Sequence, residues 1–233
     1  MRFVAGFISP LAFAAVAQAQ GLYIEPFGGA NWATNFSGAS GGGDITLNAS
    51  SDDGYVIGGK VGSPIDAIYG LRVEGELAYR RNNITGAWSY LVEEGPPCCI
   101  ELAKTAIVEG DLVSIPFTGE QSTFSFMANA VYAVEAFKGV EPYVLGGAGY
   151  ASRHMELSGD RGPNLDTDEG GFAWQFGAGV DFEVATGVKA SLGYVYFVGP
   201  SIGRVVTVDG YNPVEFNSDG VNQSAVASVT FAF

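Results

Sequence analysis

The last twelve residues, Asn222 to Phe233, constrain the chain most. Read back from the end, Phe233, Phe231, Val229, Ala227 and Ala225 are apolar, and Ala232, Thr230, Ser228, Val226 and Ser224 between them are mostly small or polar. Alternation of period two is the mark of a strand with one greasy face and one wetter face. A strand of a soluble sandwich alternates too, but has no need to finish on an aromatic. A strand whose outer face meets lipid does, because aromatic side chains anchor at the membrane interface.

The other end fits export. Arg2 precedes an apolar run from Phe3 to Val16, and Ala17-Gln18-Ala19 supplies small residues for cleavage. Residues 1–19 are therefore expected to be a signal peptide and 20–233 the mature domain. The run falls short of the ~20 apolar residues that a spanning helix needs. Without Arg2 the chain carries ten basic against 25 acidic side chains, a net charge of −15. Such a balance argues against nucleic acid, which is held by basic patches.

Between the ends, alternating segments recur: Leu22–Trp32, Gly54–Ser63, Gly70–Arg81, Ser122–Ala133, Pro142–Arg153, Phe172–Phe182, Val188–Phe197 and the terminal strand. Long connections (Ala33–Asp53, Asn82–Gln121, His154–Gly171, Val198–Val221) alternate with the short turns Pro64–Tyr69, Glu135–Glu141 and Val184–Gly187. The longest should contain hairpin arms rising above the membrane, Ile107–Phe117 being the descending one. Eight strands, four long loops and three short turns predict an all-β, eight-stranded antiparallel transmembrane β-barrel. Ten strands result instead if the second loop pairs across the barrel. A soluble barrel would put polar residues outside and apolar ones inside, the reverse of Gly70–Arg81.

The run Ser125–Ala151, SFMANAVYAVEAFKGVEPYVLGGAGYA, places a strand bearing an Asn, a short turn and a Pro-Tyr-rich glycine strand in succession. This order resembles the centre of the OmpA-like superfamily of small outer-membrane barrels, which includes alpha-proteobacterial surface antigens. Val229, Phe231 and Phe233 resemble the signal by which such barrels are assembled. The resemblance implies a monomeric, non-enzymatic protein of the bacterial outer membrane, among lipid and lipopolysaccharide, inserted by the barrel-assembly machinery. It implies structural and surface-exposed work, with a narrow passive porin-like channel as the alternative and no cofactor.

Parity along the strands puts Glu25, Glu74, Glu76 and Asp181 inside with Lys60, Arg72, Arg80 and Lys189. Four acids and four bases in a lumen barely wide enough for side chains predict an ion-pair network that fills it. Arg80, Arg81, Arg153 and Arg204 fall near the outer ends of strands and are candidates for lipopolysaccharide phosphates, which guanidinium groups suit. Trp32, Tyr79, Tyr150, Phe172, Tyr196 and Phe233 read as interfacial anchors. His154 is the sole histidine and reads as a solvated rim residue. Asn164, Asp166 and Asp168 have the alternate spacing of a calcium loop, but Glu169 and Gln175 break its pattern. Cys98 and Cys99, adjacent in an exported chain, are candidates for a vicinal disulfide and lack the spacing of a metal pair.

Overall fold

A computed structural model describes residues 21–40, 45–91, 112–159, 165–206 and 214–233. Nine strands run through them: β1 (Tyr23–Ala33), β2 (Phe36–Ser40), β3 (Ile45–Pro64), β4 (Leu71–Leu91), β5 (Leu112–Ala133), β6 (Val140–Ser158), β7 (Leu165–Ala185), β8 (Val188–Val206) and β9 (Val214–Ala232). Every pairing is antiparallel, and β1 closes the ring by pairing with both β3 and β9. β2 pairs with the same two neighbours, so β1 and β2 are one stave broken between Ala33 and Phe36. The barrel therefore has eight staves, and its backbone ladder closes around the lower storey as a membrane requires. Above Trp174 and Val198 no pairing joins β7 to β8 among the described residues, so residues 165–173 and 199–206 border a seam in the upper storey.

The register fixes the tilt. The chain of partners Tyr23, Gly62, Glu74, Asn129, Gly147, Gln175, Phe197, Asn222 returns to the first stave at Ala33, ten residues above Tyr23. A stagger of that size over eight staves inclines the strands by roughly 40°, as outer-membrane barrels require.

Two storeys of opposite polarity stand on one another. In the lower storey the outer face is apolar: Ile57, Leu77, Phe124, Phe126, Val144, Phe176 and Leu192 are all exposed. This belt runs from Leu71 to Tyr79 on β4 and from Phe172 to Phe182 on β7, nine and eleven residues, the ~9–11 that a tilted strand needs to cross a bilayer. The inner face there carries the buried charges together with two apolar patches, one of Val131, Tyr143, Leu145 and Val195 and one of Met127, Ala151, Ala173 and Phe197. Above the belt the pattern inverts. Phe36, Leu47, Ile84, Trp88, Phe117, Met155, Leu157, Ile202 and Phe216 pack inward as one apolar cluster, while Ser37, Asn48, Thr85, Thr118, Glu156, Asp166 and Asn217 face outward. This is the arrangement of a barrel in water. The strands from Tyr79 to Leu91 lift the upper storey roughly 30 Å above the belt.

Three irregularities sit at the junction. Register slips between Ser51 and Gly54 on β3 and between Gly199 and Ile202 on β8, and the first stave breaks at Ala33–Phe36. Each changes which parity points inward: Lys60 and Val56 give way to Leu47 and Ala49, Phe197 to Ile202, and Asn31 to Phe36. Bulges are the means by which a barrel wall is re-aimed at a rim.

The regions read from sequence as long loops are thus largely strand, and Asn82–Gln121 supplies the upper ends of β4 and β5. Its expected descending arm, Ile107–Phe117, is strand from Leu112 onward, and residues 107–111 lie outside the described ones. Tight turns at the opposite end use Gly70, Gly139 and Gly187 with positive φ, a region closed to most side chains.

Candidate functional site in the barrel lumen

The lumen is filled in layers. Lowest, Arg72 donates to Asp181 at 2.7 Å, and Ser191 Oγ donates to the other oxygen of that carboxylate at 2.6 Å. Arg72 Nε also stands 3.7 Å from Glu74, which accepts from the Tyr23 hydroxyl at 2.6 Å. The guanidinium lies near the rings of Tyr23 and Tyr143. One step further, Lys60 donates to Glu25 at 2.8 Å and stands 3.9 Å from Glu74. The hydroxyls of Ser228 and Thr230 also donate to Glu25.

Next comes Glu76. Its Oε2 accepts from Asn129 and from Gln175, each at 2.9 Å, and its Oε1 stands 3.7 Å from Arg80. Arg80 donates to Ser125 at 2.8 Å and lies over the Phe197 ring at 4.1 Å. Charges removed from water are tolerated when they are paired and hydrogen-bonded. Each of these charges has an opposite partner, although Arg72 Nε, Glu74 Oε2 and Arg80 Nε make no hydrogen bond among the described residues. The space left among Phe27, Lys60, Glu76, Arg80, Tyr143 and Val195 is about 10 Å³, on the order of one water molecule.

An amide layer follows. Asn31 donates to Asn82 and Asn222, and accepts from Ser224. The upper apolar cluster then seals the top. Neither that cluster nor the amide layer was foreseen in the sequence. The signal for the amides was available, because Asn31, Asn82 and Asn222 share inward parity with Glu25, Arg80 and Ser224.

The arginines near the outer strand ends divide. Arg80 and Arg153 are 2% and 1% exposed and point inward, so neither reaches a phosphate outside, and that expectation is corrected for both. Odd residues of β6 face the lumen from Tyr143 to Leu157, which places Arg153 there. It donates to the Ser218 carbonyl at 2.8 Å, to Ser218 Oγ at 2.6 Å and to Gln121. Arg81 stands on the outer wall, paired with Glu120. Arg204 is opposite the buried Phe216 and reaches the inward-facing Thr167 and Glu169 of β7, so it lies on the lumen side at the upper end of β8. Lys189 sits at the turn-side mouth, donating to Glu141 at 2.6 Å, so it joins a different acid from those expected for the lumen.

His154 lies on the outer wall, its Nδ1 3.0 Å from Asp168 and 3.7 Å from Asp166. Both aspartates are in β7, opposite His154 and Glu156 of β6, so a calcium loop does not form from them. Among the described residues no group of His, Cys, Asp and Glu is placed to hold a metal ion. Val229, Phe231 and Phe233 all point outward from the closing seam, where Phe231 is opposite Ile24 of β1. Cys98 and Cys99 lie outside the described residues.

Comparison with known proteins agrees with this geometry. The chain is similar to outer membrane protein OprG from Pseudomonas aeruginosa (13% identity, 92% of this chain and 97% of that one, TM-score 0.55). It is also similar to the outer membrane protease OmpT from Escherichia coli (9% identity, 93% and 98%, TM-score 0.50). Neisserial surface protein A superposes with a TM-score of 0.49 at 17% identity, over 92% and 98%. At such identities the likeness is one of fold. None of the curated proteins matches in sequence. The description "outer membrane protein beta-barrel domain" matches residues 3–233, and the chain belongs to that family of outer-membrane β-barrels.

Proposed function

We propose that this protein is a closed, monomeric, non-enzymatic barrel that supports the outer membrane and holds a rigid storey above it for surface contacts. The observation that carries this reading is the filled lumen: ion pairs, then amides, then an apolar cluster, with a void of only about 10 Å³ among the charges. Glu25, Glu76 and Asp181, tied up by two or three donors each, and Glu74, flanked by Lys60 and Arg72, are poor general acids, and His154 stands on the outer wall away from them. Removal of residues 1–19 on export, insertion by the barrel-assembly machinery through Val229, Phe231 and Phe233, and a disulfide between Cys98 and Cys99 belong to the same reading. Of the four arginines considered for lipopolysaccharide phosphates, Arg81 is the one on the outer wall, and Arg204 reaches solvent only at the upper end of β8.

Deleting the gene in its host tests this. Loss of a structural barrel makes the envelope leak to detergent and to bulky antibiotics while uptake of small solutes is unchanged. Reduced uptake of small hydrophilic solutes with an intact permeability barrier contradicts the proposal and favours a narrow pore.

A further inference from the structure

The outer wall of the upper storey is not uniform. Where the first stave breaks, a groove of about 830 Å³ opens across β9, β2, β3 and β4. Its polar lining is neutral apart from Asp219: Asn35, Ser37, Asn48, Ser50, Thr85 and Asn217. Two amides flank Ser37, since Ser37 is opposite Asn48 on one side and Asn217 on the other. Asn35 accepts from Ser50 Oγ at 3.2 Å and from Ser51 N at 3.1 Å, which leaves its NH2 to donate outward. Asp219 at the rim adds an acceptor. Among the described residues no Lys or Arg lines the groove; Arg81 is held by Glu120 elsewhere on the wall, and Arg204 by Glu169 on the lumen side.

What lies directly below matters as much. The lipid belt under the groove is smooth, with Ala30 opposite Ala225 and Gly28 opposite Ala227. Trp32 and Tyr55, 41% and 43% exposed, mark its upper edge. A molecule lying along this sector meets small apolar side chains, then two aromatics, then amides and hydroxyls. That sequence matches an outer-leaflet glycolipid: acyl chains, an interface, then a sugar whose hydroxyls both donate and accept. We infer that the Asn35–Asn48–Asn217 groove binds the saccharide of an outer-leaflet glycolipid by its hydroxyl groups, without a phosphate contact. The inference rests on the outer-membrane placement and not on whether the lumen is closed.

A neutral probe separates sugar from phosphate. The full mature protein is refolded into phosphatidylcholine nanodiscs containing a few per cent galactosyl diacylglycerol, and lipids retained on the protein are counted by native mass spectrometry. Wild type retains the galactolipid several-fold above its share of the bilayer, and Asn48→Ala/Asn217→Ala loses that enrichment while keeping its folded gel mobility. Arg81→Ala retains it. Galactolipid held only in proportion to its abundance overturns the inference. So does enrichment that survives the double substitution, or that disappears with Arg81→Ala.

Discussion

Glu76 is the acceptor on which the middle of the lumen closes, and replacing it with Leu tests whether the network stabilises the barrel. Glu76 accepts from Asn129 and Gln175 at 2.9 Å each and neutralises Arg80 at 3.7 Å. Hydrogen bonds to a charged group contribute ~1.5–3 kcal/mol each. Asn129 and Gln175 keep their mutual bond of 2.9 Å, so not all of that is lost. The larger cost is the orphaned cation, since Arg80 retains only Ser125, a long contact to Gln175 and the Phe197 ring. Breaking a buried pair from one side costs about 3–5 kcal/mol. Glu76→Leu is therefore expected to lose about that much. Glu76→Leu/Arg80→Met, which removes both charges, should return to within about 1–2 kcal/mol of wild type, because paired removal spares the desolvation cost. Urea titration of protein folded in phosphatidylcholine vesicles, followed by tryptophan emission and gel mobility, reads the difference. A single variant within about 1 kcal/mol of wild type refutes the reasoning. A double variant as unstable as the single one does too.

Four further substitutions probe the storeys and the seam. Phe126→Arg, in the middle of the lipid belt, should cost about 2–4 kcal/mol, whereas Thr118→Arg, eight residues up the same strand, should be nearly silent. Leu47→Ala empties a fully buried site in the upper cluster at about 2–5 kcal/mol. The loss should appear as protease cleavage in the upper storey while the membrane belt stays folded. Gly29→Ala should prevent closure, because a Cβ there would stand 1.9 Å from the Ala225 carbonyl oxygen across the β1–β9 seam; a folded, heat-modifiable band from that variant would count against the register.

The lower storey was legible because lipid outside and charge inside give each strand a strong alternation: Leu71 to Arg81 reads almost without exception. Strand order followed from the long and short connections. The upper storey was not legible, although its strands alternate just as regularly. Its polar side faces water, so Ser37, Asn48 and Thr85 have the composition of a loop, and the serine-glycine tract before Ile45 strengthens that impression. Bulges at Asp52–Asp53 and Pro200–Ser201 also shift the inward parity by one, so a period carried upward from Lys60 or Phe197 puts Leu47 and Ile202 on the wrong face. Arg153 was misplaced for a different reason. Its strand is apolar on both faces, with Tyr143 and Leu145 inward and Val144 and Tyr150 outward, so alternation there does not say which parity meets the lumen. Glu141, the partner of Lys189, falls in a turn by the sequence reading and is the second residue of β6 in the fold.

The most direct test of a closed lumen is single-channel recording in a planar bilayer with residues 20–233, refolded and shown to be inserted. No discrete conductance steps are expected, for wild type or for Thr118→Arg on the outer wall. Reproducible steps whose size changes when Arg72 or Glu74 is neutralised would mean that ions pass the layer of Arg72, Glu74 and Asp181, and the barrel would then be a pore.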